Sequence, residues 1–283
     1  MLQYVIILIA TSVIIWGINR LATFRQQREN QDPLILCENP DCVRCNSNQK
    51  ITDNALMEFQ KVKNRNSLKR LKKVFSLARS FKSHLLFCDF LTKKTTWYLK
   101  DLPQSYKDDL ELLTNNIPIF KKEYEKIKLI GKGEYGWSKF FLMNQGTLVQ
   151  DNIKQSPDTY NILKQCCNVM NGCLFGYQFF SVLSAGSVIE KHKGPTNVRL
   201  RCHISIQIPD LDVSNSSCYM EVDGTVLEWK RDQSIIFDDS LLHKVVYKTN
   251  TLNALDRVVL LVDFWHPDLT TIEKDCLKSC FSC

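Results

Sequence analysis

His192, His203 and His243, with Arg199, Arg201 and Arg257, fall in a region rich in β-branched and aromatic residues. Imidazole suits iron, copper, nickel and zinc as a ligand. An arginine drawn into an apolar core needs an anion, because a buried unpaired charge is costly. Its planar fork fits a carboxylate in two-point contact. Together these residue types point to a metal and a small dicarboxylate. The same residues can also be satisfied core or surface groups, and residue type alone leaves both readings open. A zinc hydrolase would need a third protein ligand beyond two histidines. A catalytically silent module that holds a peptide or an acid is the non-enzymatic alternative.

The motifs around these residues are specific. His192-Lys-Gly-Pro-Thr-Asn197 precedes Arg199-Leu-Arg201-Cys-His203. Ile236-Phe-Asp-Asp-Ser240 precedes His243-Lys-Val245, and Arg257 precedes Val262-Asp-Phe-Trp-His-Pro-Asp268. With Trp97-Tyr-Leu-Lys-Asp-Leu-Pro103 and Gly136-Trp-Ser-Lys-Phe140, this order resembles the aspartyl/asparaginyl β-hydroxylase family across roughly residues 95 to 270. Within it, the single-span domain-containing members fit best.

The resemblance implies a double-stranded β-helix, or jelly roll, and a dioxygenase using Fe(II) and 2-oxoglutarate on Asp or Asn side chains of a protein or peptide. It implies iron held by His192 and His243, with Arg201 and His203 near the 2-oxoglutarate C1 carboxylate. Arg257 and Ser181 would hold the far carboxylate, and Trp137 would lie near the substrate. Most such oxygenases add a carboxylate two residues after the first histidine. Here that position is Gly194, as the resembled family also lacks the carboxylate. A water is expected in the vacancy, and an aspartate introduced at 194 is expected to be tolerated. Asp238 and Asp239 are expected to support the site or turn the chain, and His266 to be structural. Residues 150–173 diverge from the family's substrate loop, so an EGF-like substrate does not carry over.

The elements that must position these groups are short strands: 138–143, 179–183, 200–208, 221–227, 234–237, 244–247 and 258–264. Many strands without intervening helices indicate a mainly β sandwich, jelly roll or barrel. Helices are expected before it. Leu68, Leu71, Val74, Phe75, Leu77, Ala78, Phe81 and Leu85 recur at helical spacing within 52–94, an amphipathic basic segment. A second pattern runs from Leu110 to Ile127, with Pro118 expected to kink it.

Charge and cysteines bound the setting. The net charge is +7, yet residues 50 to 94 hold 12 Lys/Arg against 3 Asp/Glu, so the rest is close to neutral. That localised charge suits an anionic membrane surface or a solvated helix face, and no nucleic-acid partner is expected. Residues 1–19 are uncharged and just long enough to cross a bilayer, with Trp16 near the end. A cleaved signal peptide is the rival, weakened by the absence of a leading Lys or Arg. A single-pass membrane protein is expected, with the endoplasmic reticulum as one candidate membrane. Arg20, Arg25 and Arg28 favour a cytoplasmic domain, whereas the family resemblance favours the lumen. A linker (20–51) carries Cys37, Cys42 and Cys45. A tail (271–283) carries Cys276, Cys280 and Cys283. Metal binding, disulfides and free thiols remain open for both triplets, because three thiolates leave a tetrahedral ion one ligand short.

Overall fold

Period-two alternation sets the layers. The described residues of this computed structural model are 43, 49–62, 68–77, 85–127, 136–210, 216–251 and 254–283, all within the unit Leu36–Cys283. Strand β1 is Thr96–Trp97, β2 Trp137–Asn144, β3 Thr147–Leu148, β4 Gln178–Leu183, β5 Val188–His192 and β6 Arg199–Gln207. Then follow β7 Ser217–Val222, β8 Thr225–Glu228, β9 Ser234–Phe237, β10 His243–Lys248 and β11 Arg257–Trp265. The larger sheet has the order β1-β9-β6-β11-β4-β2-β3, and the smaller has β5-β10-β7-β8. Every ladder between these strands is antiparallel. From β4 to β11 the chain passes repeatedly between sheets and places four strands in each, which is a jelly roll.

On β6, Leu200, Cys202, Ile204 and Ile206 join one apolar core, while Arg199, Arg201 and His203 point the other way. On β11, Val258, Leu260, Val262 and Phe264 join the same core, with Arg257 and Asp263 opposite. Helices α1 (Gln49–Lys61), α2 (Lys69–Leu77), α3 (Gln104–Asn115) and α4 (Ile117–Ile127) precede β2. Leu110, Leu113, Ile117 and Phe120 from α3 and α4 cover the outer face of the larger sheet. Burying each such side chain fully contributes about 1.5–3 kcal/mol. Thus on β6 and β11 one face packs under the helices, and the other carries Arg199, Arg201, His203, Arg257 and Asp263 beside the apolar Val259.

Several expectations need correction. The pattern from Leu110 to Ile127 is two helices broken at Asn116. Pro118 is the second residue of α4, where its missing N–H leaves no helical bond unmade. The basic segment is helical only in α1 and α2 among described residues, and Leu86 forms a bridge with Thr196. The expected strand 221–227 is a hairpin, β7 and β8, turning at Asp223 and Gly224 with φ of 46° and 80°. The stretch read as a tail forms helix α7 (Thr271–Cys280), capped reciprocally by Thr270 and Glu273. The divergent segment folds as α5 (Gln150–Gln155) and α6 (Pro157–Leu163). It is tied to α3 and α4 by buried carboxylates. Asp109 accepts the Cys167 and Asn168 amides at 2.9 and 2.8 Å, and Glu123 accepts those of Asp158 and Thr159.

The expected spanning segment, the first cysteine triplet and His84 lie outside the described residues. Among those described, no helix is long and apolar enough to cross a membrane. No group of three or more His, Cys, Asp or Glu among them is arranged to hold a metal.

Candidate functional site

His192 ends β5 and His243 begins β10, and the two are directly paired across that ladder. Their rings lie 4.1 Å apart, centroid to centroid. Each Nδ1 sits against a carbonyl two residues upstream, 2.7 Å from Glu190 O and 2.8 Å from Leu241 O. A carbonyl only accepts, so each Nδ1 carries the proton and each Nε2 carries the lone pair. Two neighbouring imidazoles with fixed tautomers form a two-nitrogen donor set. The backbone carbonyls act as the outer partners that orient such ligands.

The loop after His192 is held from two sides. Asn197 accepts the Cys88 amide and donates to the Cys88 carbonyl, both at 2.8 Å. The Gly194 amide donates to Asp239 O at 2.6 Å. Here the expectation about Gly194 fails. A Cβ at this residue would stand 2.4 Å from Asp239 Oδ2 and 2.6 Å from Asp239 Cγ. Asp239 is fully buried and pinned by arginines, so it cannot yield. The glycine is therefore a steric requirement of Asp239. Gly194→Asp is expected to lose the native loop and iron together, measured as lowered thermal stability with substoichiometric metal. A stable variant with full iron would refute this.

Arg199 and Arg201 are the larger surprise. Arg199 grips Asp239 with Nε and NH2 at 3.1 and 2.6 Å. Arg201 grips Asp263 with Nε and NH2 at 2.9 and 3.0 Å. Two cross contacts of 3.2 Å, Arg199 to Asp263 and Arg201 to Asp239, close a four-charge cluster. Arg199 also donates to the Phe175 carbonyl. Burial alone would raise the Asp239 carboxyl, but the two guanidiniums override it and hold it below the usual carboxylate range. Arg201 thus already has counter-charges within the protein, so it does not wait for one from a co-substrate. Neighbouring Asp238 accepts the Ser240 amide at 2.9 Å, and burial pushes its carboxyl up to about 6.

Arg257 is different. It is 1% exposed, and no carboxylate among the described residues pairs with it. Its Nε has no hydrogen-bond partner. Its NH1 lies 3.5 Å from Ser181 Oγ, and its guanidinium sits 5.0 Å from the Trp229 ring centroid. Burial pushes this guanidinium down to about 10. Ser181 also accepts from Trp137 Nε1 at 3.0 Å, and Lys139 Nζ lies 3.7 Å from the centroid of that indole. His203 is fully buried, and neither ring nitrogen has a partner. Burial first, then the nearby Arg257 and Arg201, lower its pKa well below the ordinary value, so it is a neutral imidazole. It stacks against Trp229 at 6.0 Å.

The interior therefore brings together His192, His243, His203, Arg257, Ser181 and Trp137 through adjoining ladders and ring contacts. Sequence reasoning missed Asp263 and Arg199 as the other half of a charge cluster. An acid inside the apolar run Val262-Asp-Phe was the available signal. His266 lies apart: Nε2 meets Thr92 O at 3.0 Å and Nδ1 accepts the Asp268 amide at 3.2 Å. A cleft of about 530 Å³ lies elsewhere, beside Val43, Asn54, Gln145 and Cys283, and holds none of these groups.

A jelly roll with two adjacent imidazoles and an uncompensated buried guanidinium inside it has the makings of a metal-and-carboxylate site. The Aspartyl/Asparaginyl beta-hydroxylase family profile matches residues 104–267, more than half the chain, and the chain belongs to that family. Aspartate beta-hydroxylase domain-containing protein 2 from Homo sapiens is 29% identical over 288 residues, covering 94% of this chain and 76% of that protein. The Homo sapiens aspartyl/asparaginyl beta-hydroxylase is 30% identical over 195 residues, covering 66% of this chain but 24% of that longer protein. Among solved structures, an oxidoreductase of the 2OG-Fe(II) oxygenase family from Burkholderia pseudomallei matches 54% of this chain and 78% of that one. It does so at 11% identity with a TM-score of 0.39, a distance at which strand order alone carries the fold.

Proposed function

We propose that this protein is an Fe(II)- and 2-oxoglutarate-dependent oxygenase that hydroxylates Asp or Asn side chains of a protein substrate. The single observation that carries the reading is Arg257, a buried cation with an unpartnered Nε and no carboxylate beside it among the described residues. Such a group is costly unless an anion completes it. A small dicarboxylate fits, and membership of the hydroxylase family favours 2-oxoglutarate as that dicarboxylate. The residues fit iron as well, since imidazole nitrogens suit it and the carbonyl contacts at both Nδ1 atoms fix the orientation of the two adjacent rings.

When bound, Fe(II) with 2-oxoglutarate and O2 would supply the oxidising chemistry: one oxygen atom of O2 enters the C–H bond, and the other goes into succinate as 2-oxoglutarate loses carbon dioxide. The chain supplies the rest. His192 and His243 hold the metal through Nε2, with their rings fixed by the Glu190 and Leu241 carbonyls. Arg257 and Ser181 hold the far carboxylate of 2-oxoglutarate. His203, neutral and unpartnered, donates to the near carboxylate, and Arg201 contributes charge there while held by Asp263. Trp137, tied to Ser181, borders the substrate. Burial of His203, Arg257 and Ser181 strengthens the contacts that these three make.

His192→Ala and His243→Ala are each expected to abolish stoichiometric iron, because one protein nitrogen remains. Elemental analysis of the purified full chain checks this, and full iron in either variant refutes the ligand assignment. A membrane address through residues 1–19 is part of the proposal, with the side left open. Deleting them should release the protein from the membrane fraction, and a deletion form that still pellets with membranes would rule that anchor out.

A further inference from the structure

We propose that Trp229 donates its indole Nε1–H to the bound dicarboxylate, as a third donor beside Arg257 and Ser181 at the far carboxylate. This assignment rests on the 2-oxoglutarate reading above and adds a co-substrate-binding residue to it. Trp229 is the residue after β8, 5% exposed, and its Nε1 has no hydrogen-bond partner among the described residues. The indole lies against both groups that the reading places on the acid. The Arg257 guanidinium sits 5.0 Å from its centroid, and the His203 ring stacks on it at 6.0 Å with the planes 17° apart. Leu183, the register partner of Arg257, and Val259 pack in the same apolar cluster as Trp229.

The nitrogen is what requires an explanation. An indole N–H can only donate, and leaving such a donor buried without an acceptor is costly. A phenylalanine would give Arg257 and His203 an aromatic face with no donor to satisfy. The side chains around it are poor in acceptors: Arg257 carries only donors, and Leu183 and Val259 carry neither kind of group. The ring face also holds the guanidinium by a cation–π contact, which places the fork without neutralising it. A carboxylate bound there would meet a charged fork and a neutral N–H together. Arg257 Nε and Trp229 Nε1 would each gain the acceptor that it lacks. A neutral donor strengthens the hold on an anion without burying a second charge.

The test is calorimetric titration of 2-oxoglutarate into the iron-loaded full chain with O2 excluded, for the wild type and Trp229→Phe. Phenylalanine keeps an aromatic face and removes the N–H. The variant is expected to retain iron and to bind 2-oxoglutarate about 10- to 100-fold more weakly, the effect of one hydrogen bond to a charged group. Equal affinity in the two folded, iron-loaded chains would overturn the assignment and leave the co-substrate reading standing. A wild type that binds no 2-oxoglutarate would overturn both. Because the variant can fail to fold, the wild type is also read by ultraviolet resonance Raman, in which an indole N–H band reports hydrogen bonding. Saturating 2-oxoglutarate is expected to shift one tryptophan to a hydrogen-bonded N–H, and Trp137 already donates to Ser181 without it. An unshifted band at saturation would overturn the assignment.

Discussion

Arg257→Ala is expected to weaken 2-oxoglutarate by roughly 30-fold to several thousandfold while leaving iron in place. The range follows from losing one charge-assisted pair to a buried carboxylate, about 2–5 kcal/mol. The geometry explains why this residue should dominate. Arg199 and Arg201 have Asp239 and Asp263, whereas among the described residues Arg257 meets no carboxylate, with the Ser181 hydroxyl at 3.5 Å and the Trp229 ring beside it. Removing Arg257 also relieves the unbound protein of a buried uncompensated cation, so stability should hold or rise. A merely structural arginine would do the reverse. Arg257→Lys should recover only part of the affinity, because an ammonium cannot reproduce the two-point fork. Calorimetric titration of 2-oxoglutarate, with iron content followed in parallel, reads both quantities. Unchanged affinity in Arg257→Ala would remove the co-substrate role.

The second large effect is on folding. Asp263→Asn keeps the shape of the side chain but removes one of two anions facing two buried guanidiniums. Asp263 has no exposed surface, and it meets Arg201 at 2.9 and 3.0 Å and Arg199 at 3.2 Å. Breaking a buried pair from one side costs about 3–5 kcal/mol, because the remaining charge is left without compensation. The loss should appear as a lower urea midpoint with an unchanged slope. The double variant Asp263→Asn/Arg201→Met should recover part of it, since both members of the pair are then gone. A single-variant loss below about 1 kcal/mol would show that the cluster does not work as a closed charge set.

Much of this was legible in the sequence, for definable reasons. The strands of the larger sheet announce themselves because one face packs under α3 and α4, giving the alternation of Leu200, Cys202, Ile204 and Ile206. The histidine motifs and Arg257 were readable from their order along the chain. Strand β5 was not, because exposed Glu190 and Lys191 interrupt the apolar signal even though the strand delivers His192. The charge cluster was hidden for another reason. Arg199 meets Asp239 across 40 residues and Arg201 meets Asp263 across 62, and only the sheet register brings them together. Gly194 was misread because its reason lies on another loop, in the carboxylate of Asp239.

The same register explains the division of labour inside the barrel. At one end of β6 and β11 the inward Arg199, Arg201 and Asp263, together with Asp239, neutralise one another. His203 and Arg257 are left with unsatisfied nitrogens at the other. Buried polar atoms without partners are uncommon in folded proteins, and here they gather on two neighbouring strands of the larger sheet.

The most direct measurement is succinate formation from 2-oxoglutarate by the full-length chain supplied with Fe(II). The account predicts steady succinate release that depends on iron, falls to background in His192→Ala and His243→Ala, and in Arg257→Ala returns only at much higher 2-oxoglutarate. An iron-loaded, folded wild-type chain that neither binds nor consumes 2-oxoglutarate would contradict it.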